Sequence, residues 1–163
     1  MPPHTVDRTD RAIVTRLQAD GRIANVDLAD AVSLSPSACL RRVKALEAGG
    51  IIAGYRAELD RNRAGLGLTA FIELQVEGHS LDTSMRVSEA LTAIPAVVAC
   101  YLVSGSADFF VEAAVPDLAG YEDLLLSKIL TIPSVVSARS SFAIRTYLSR
   151  GPLPLEHWRR VGE

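Results

Sequence analysis

Apolar residues recur at helical spacing through the first third of the chain and at alternate positions through much of the rest; the period changes just after Gly54. Ile13, Val14 and Leu17 give an inward face to a helix from Asp7 to about Asp20. Leu28, Ala29 and Val32 do the same for a second helix, which starts near Asn25, a good N-cap residue. Val32-Ser33-Leu34-Ser35 is too short for anything but a turn. A third helix begins at Ser35, with Pro36 at the first helical position where a missing N–H costs nothing, and stops at Gly49-Gly50. The result is the outline of a helix-turn-helix with a third helix upstream.

On a wheel of roughly 100° per residue, Cys39, Leu40, Val43 and Leu46 share one side of the third helix. Ser37, Ala38, Arg41, Arg42 and Ala45 fall opposite. That opposite face suits the major groove of DNA: small residues allow close approach, and two guanidiniums can reach guanine edges or phosphates. Lys44, at the flank, suits phosphate, and Ser35, Ser37 and Ala38 stand at the groove-facing start of the helix. An ordinary helix with a solvated face could carry the same Arg-Arg pair, but the tri-helical context favours DNA.

Beyond Gly54, Tyr55 to Leu59 reads as a short strand, which makes the first domain winged-type, and Asp60 to Gly67 as a polar hinge. Leu68 to Val76 alternates as a strand; Leu81 to Ile94 is helical and ends at Pro95. Val97 to Ser104 and Phe109 to Val115 form a hairpin about Gly105 to Asp108. Leu118 to about Leu130 is helical, and Val135 to Leu148 closes with a strand. The spacing predicts βαββαβ over roughly 80 residues, a ferredoxin-like α+β domain with both helices on one sheet face. Domains therefore fall at residues 1–54 (helix-turn-helix), 55–67 (strand and hinge), 68–148 (ferredoxin-like) and 149–163 (tail). Phe71, Tyr101, Val103 and Phe109 call for a cover on the other face, most cheaply another copy of the same sheet, so a homodimer is expected.

Composition changes this picture little. The chain has 163 residues, 48% of them hydrophobic, enough for one or two small cores. No run of about 18 apolar residues could span a bilayer, and Met1-Pro2-Pro3-His4 lacks a signal-peptide pattern, so no membrane association and a cytoplasmic location are expected. A net charge of −2 is unusual for a protein that binds DNA by bulk electrostatics alone. Positive charge is instead local, at Arg41, Arg42 and Lys44; six phosphate contacts in a dimer would give a salt slope of about −5. Cys39 and Cys100 cannot frame a disulfide scaffold and match no metal spacing. His4, His79 and His157 have no ligating neighbours in sequence and read as surface residues. No metal, cofactor or catalytic motif is expected.

Several segments together resemble the leucine-responsive/asparagine-regulator (Lrp/AsnC) family of transcription regulators. They are Val6 to Ile13, Asp20 to Ala29, Leu34 to Val43, Leu46-Glu47 and Ile51 to Tyr55, then Leu102 to Phe109 with Val115-Pro116-Asp117-Leu118. The resemblance spans about residues 6 to 148 and leaves the tail, with Trp158, outside it. It implies a regulator whose binding to double-stranded DNA is modulated by a small amino acid or related metabolite. It also implies dimers assembling to tetramers or octamers, with effectors held where dimers meet.

The hairpin turn is the natural effector position. Gly105 could bring backbone N–H groups to a ligand carboxylate, and Asp108 could receive an α-ammonium. Tyr101, Ser104 and Ala107 border the same strand end, and the resemblance adds Ser140. Ser106-Ala107 and Ala138 depart from the family's usual residues, which leaves the effector's identity open. Spacing alone favours a plain hairpin, with Gly serving backbone geometry and Asp capping the turn; the resemblance is what tips the reading toward ligand contact. A sensor domain whose N-terminal helices bind a protein partner is the alternative function; it would not retain DNA with steep salt dependence.

Overall fold

The computed structural model describes residues 6–78, 80–156 and 158, so His4, His79, His157 and the Met1–His4 segment lie outside the described residues. The chain divides into two units: residues up to Ala57 together with those from Leu148 onward, and Glu58–Tyr147. The tail thus belongs with the amino-terminal helices.

The first unit is built on α1 (Arg8–Ala19), α2 (Asn25–Ala31) and α3 (Pro36–Ala48). Asp7 and Asp10 open α1 with a reciprocal cap: the Asp7 carboxylate accepts from the Asp10 N–H at 2.9 Å, and the Asp10 carboxylate from the Asp7 N–H at 3.1 Å. The Ser35 hydroxyl accepts from the Ala38 N–H at 3.3 Å to open α3. At its far end Gly50 adopts φ 71°, so the Gly50 and Ile51 N–H groups turn back to the carbonyls of Glu47 and Leu46, each at 3.0 Å. Ile13, Leu28, Ala29, Cys39 and Leu46 form the core between the helices.

Two expectations change here. Asn25 is the first residue of α2 and not its cap; Ala24 holds that position, and the Asn25 amide donates to the Pro36 carbonyl at 2.9 Å, joining the starts of α2 and α3. Tyr55 to Leu59 does not form a strand, because no strand among the described residues lies beside it to complete a ladder. Among the described residues the helix-turn-helix therefore carries no wing.

The second unit comprises β1 (Leu68–Val76), α4 (Leu81–Thr92), β2 (Val97–Leu102), β3 (Phe109–Val115), α5 (Leu118–Asp123) and β4 (Val135–Phe142). A π-helical stretch, Leu124–Ile129, continues α5. The sheet is antiparallel with order β2-β3-β1-β4, the ferredoxin-like arrangement. Ala70, Ile72, Leu74, Phe109 and Val111 pack against Val87 and Leu91 of α4 and against Leu124 and Ile129.

Phe109, expected on the uncovered face, is 1% exposed in this core. Its neighbour Phe110 stacks on Phe71 instead, ring centroids 5.8 Å apart, since a strand alternates its side chains and a shift of one residue exchanges the faces. Strand ends also differ. β2 stops at Leu102, and β4 stops at Phe142 because β1 offers one last bond, the Ala143 N–H to the Thr69 carbonyl at 3.0 Å. The hinge has an anchor of its own: Arg61 donates to the Thr69 hydroxyl at 2.9 Å and to the Glu112 carboxylate at 2.6 Å.

Candidate functional site

Along α3, Ser37, Leu40, Arg41 and Lys44 are exposed, Ala38, Arg42, Val43 and Ala45 half-buried, and Cys39 and Leu46 buried. These exposures rotate the outward face from the sequence reading. Leu40, expected inward, is 43% exposed, while Ala38, Arg42 and Ala45 turn toward the unit and Lys44 moves from the flank into the outer stripe. The apolar pattern alone does not place the face, because a polar residue is the inward anchor.

That anchor is Arg42. Its Nη1 lies 2.8 Å from Asp7 Oδ2 and 2.9 Å from Asp10 Oδ1, and the Asp10 side chain is fully buried. The bond from Asp10 raises the Arg42 pKa further above its ordinary value against the opposing effect of burial, with Asp7 adding to the rise. Burial pushes the Asp7 carboxyl up, but the Asp10 N–H and the Arg42 guanidinium outweigh it and hold the group below its ordinary value. Arg42, read from the sequence as a groove-facing residue, thus fastens α3 to the start of α1. The signal was present in Asp7 and Asp10, but their pairing with Arg42 spans more than thirty positions of chain. Burial alone raises the Cys39 thiol pKa, in keeping with a packing role.

What remains outward is a short polar stripe of Ser37, Arg41 and Lys44, with Leu40 among them. Ser35 is spent on its own helix cap and also meets the Ser37 hydroxyl at 3.2 Å. Such a stripe can meet phosphates and base edges from a helix whose inner side is fixed.

In the second unit the hairpin joining β2 and β3 carries the other predicted set. Gly105 has φ 130°, a conformation that side-chain-bearing residues rarely adopt, with open space where a Cβ would stand. Tyr101 and Ser104 are exposed, and Ala107 is half-buried. Asp108 has a structural task. The β1–β4 register slips between Gln75 and Val76, and Asp108 Oδ2 accepts from the displaced Val76 N–H at 2.9 Å while its own N–H bonds the Leu74 carbonyl at 2.9 Å. Through that oxygen the carboxylate fixes the hairpin to β1.

Ser140 also has a structural partner. It pairs in register with Ile72, whose side chain is in the core, so it faces the helices and receives the Tyr121 hydroxyl, whose ring meets Phe142 edge-on at 4.8 Å. Ser137 and Arg139, opposite Gln75 and Glu73, take the outer side instead. These four residues, with Ser106, Ala107 and Ala138, line a cavity of about 210 Å³. The Gln75 amide holds it in shape, donating to the Ser106 carbonyl at 2.8 Å and accepting from the Ser137 hydroxyl at 2.7 Å. Sequence reasoning missed Glu73, Gln75, Ser137 and Arg139 as members of one site. The available signal was their place at alternate positions of β1 and β4, polar steps in strands otherwise rich in apolar residues.

Comparison with known proteins agrees with both units. Residues 6–47 match the AsnC-type helix-turn-helix domain, and residues 69–153 match the Lrp/AsnC ligand binding domain. The chain is 37% identical over 139 residues to leucine-responsive regulatory proteins of Klebsiella pneumoniae and Escherichia coli, covering 85% of each chain. Its structure is similar to that of a transcriptional regulator from Neisseria meningitidis in complex with L-Met, at TM-score 0.89 and 35% identity, covering 95% of this chain and 100% of the other. An AsnC family transcriptional regulator from Agrobacterium tumefaciens gives 0.87 and 34%, covering 92% and 97%.

Proposed function

The chain belongs to the Lrp/AsnC family of transcriptional regulators, and on that premise we propose that α3 reads duplex DNA through Ser37, Arg41 and Lys44, with Arg42 holding the helix at its angle. The observation that carries this reading is the outward stripe of Arg41 and Lys44 on a helix whose opposite side is fixed by the bond from half-buried Arg42 to buried Asp10. A fixed helix presents its cations with little left to order on binding, which favours affinity. Ser35 contributes through the cap, and Ala38 through its small size.

The ligand of the second domain is, in this reading, an α-amino acid or close relative, the class to which the L-Met bound by the Neisseria meningitidis relative belongs. The cavity beside the hairpin supports it: Arg139 can face a carboxylate, Glu73 an ammonium, and Gln75 and Ser137 supply neutral hydrogen bonds. The exposed Tyr101 and the Phe71–Phe110 stack on the outer sheet face suit a second copy of the domain, so the working form is a homodimer that assembles to tetramers or octamers. Effector binding then shifts the balance among assemblies by its different affinity for each, changing how many reading helices meet one DNA segment. The protein acts by binding and carries out no reaction, and it works in the cytoplasm beside its DNA.

The test is the paired variant Arg41→Ala with Lys44→Ala, measured for operator affinity against salt. With two cations per subunit of a dimer on phosphates, at about −0.9 each, the stripe contributes about −3.6 to the salt slope. The variant should keep its helical content and lose that part of the slope; an unchanged slope with a folded protein overturns the assignment of the reading helix.

A further inference from the structure

The amino-terminal unit has a second feature, on the far end of α1 from its cap. Val14 and Leu17 of α1 and Ile51, Ile52 and Tyr55 beyond α3 border an apolar groove of about 490 Å³, and Leu153, Leu155 and Trp158 of the tail form its remaining wall. The tail is held there by backbone recognition. The Gln18 side-chain amide brackets Leu153, accepting from its N–H at 2.6 Å and donating to its carbonyl at 3.3 Å. Arg11 donates from Nη2 to the Trp158 carbonyl.

The sequence of the held segment fits this mode. In Gly151-Pro152-Leu153-Pro154-Leu155 both prolines lack an N–H, so Leu153 supplies the one backbone donor from 152 to 154, and Gln18 takes it. Prolines on either side also restrict the segment to extended backbone before it docks, which lowers the ordering cost of docking. A single amide reading one residue of a proline-flanked strand against an apolar wall is the chemistry of peptide recognition. The seat is shallow, since Leu153 is 72% exposed and Gln18 lies at the surface. A shallow seat suits a contact that can open.

We propose that the groove beside Gln18 is a recognition site for the proline-flanked carboxy-terminal segment of this chain, working as a releasable clasp on the DNA-reading unit. The chain leaves that unit once near Ala57 and re-enters it at Leu148, so closing the clasp ties it to the ligand-binding domain by two stretches of chain, and opening it leaves one. The partner of the groove is therefore a peptide, and its sequence is the tail itself. This inference goes beyond the proposed reading helix and cavity and uses none of their residues.

Trp158 is the only tryptophan, so intrinsic fluorescence reports the clasp directly. Gln18→Ala in the full chain should shift tryptophan emission to longer wavelength, toward that of a synthetic peptide of residues 149–163, while circular dichroism stays at the parent value. A chain ending at Arg150 should bind that peptide, and Gln18→Ala in the same background should weaken binding about tenfold or more, the effect of losing two hydrogen bonds. Emission unchanged by Gln18→Ala, or no binding of the peptide by the shortened but folded chain, overturns the proposal. Neither readout involves DNA or effector, so its failure is distinct from failure of the proposed function.

Discussion

Arg42→Ala separates anchoring from reading more sharply than any other single change. The guanidinium makes two ion pairs, at 2.8 and 2.9 Å, with unequal surroundings: the Asp7 side chain is 44% exposed and the Asp10 side chain 0%. The exposed half is worth at most about 1 kcal/mol. Removing one partner of a fully buried pair costs about 3–5 kcal/mol, and here Arg42 is itself 30% exposed. The Asp7 N–H still bonds the Asp10 carboxylate at 3.1 Å, which places the loss at the lower end, about 3 kcal/mol. For a unit this small that corresponds to a fall in melting temperature on the order of 15 °C. Thermal unfolding followed by circular dichroism at neutral pH, beside Arg41→Ala, measures it. Arg41→Ala should stay within about 0.5 kcal/mol of the parent, as exposed substitutions do. Adding Asp10→Asn to Arg42→Ala should recover part of the loss by neutralising a buried group that no longer faces a guanidinium. If Arg42→Ala unfolds no more easily than Arg41→Ala, the anchoring argument is wrong. A joint Arg41→Ala/Arg42→Ala variant cannot isolate DNA contact, because half of it disturbs the helix that makes the contact.

Two further outcomes follow from the site geometry. The Asp7 carboxyl is held below its ordinary value, so its contribution to stability is full above about pH 4 and is lost as pH falls through the folded-state value; melting of the parent should therefore drop more steeply below pH 4 than melting of Asp7→Asn, and equal slopes would count against the interaction. In a thermal-shift screen against free amino acids at millimolar concentration, a ligand at 100 times its Kd adds about 2.7 kcal/mol, and Ser137→Leu should abolish the shift while sparing the ligand-free melting temperature. Gly105→Trp is a poorer probe of the cavity, because φ 130° strains any side chain at that position with or without ligand.

Local signals in the chain determined a large part of this protein. Pro36 after Ser35, the Gly49-Gly50 stop, the alternation through Leu68 to Val76 and the breaks at Pro95 and Pro133 each act on their own few residues, so element order and fold class follow from them. Period and capping chemistry do not depend on distant partners. The tertiary structure decided everything that rests on a pairing across the chain. Arg42 reads as a groove residue until Asp7 and Asp10 are beside it, and Leu40 reads as core until that pairing turns the helix. The bond from the Val76 N–H to Asp108 exists only because the bulge at Val76 displaces that N–H. Phe109 lies on the face opposite to the one expected, because register, which the sequence does not state, fixes the face for every residue of a strand. Tyr55 to Leu59 has strand composition and no strand, since a strand is a property of two segments and composition describes one. The tail carries no family signal past residue 153, yet Gln18 and two prolines place it, through hydrogen bonds that join positions 135 residues apart.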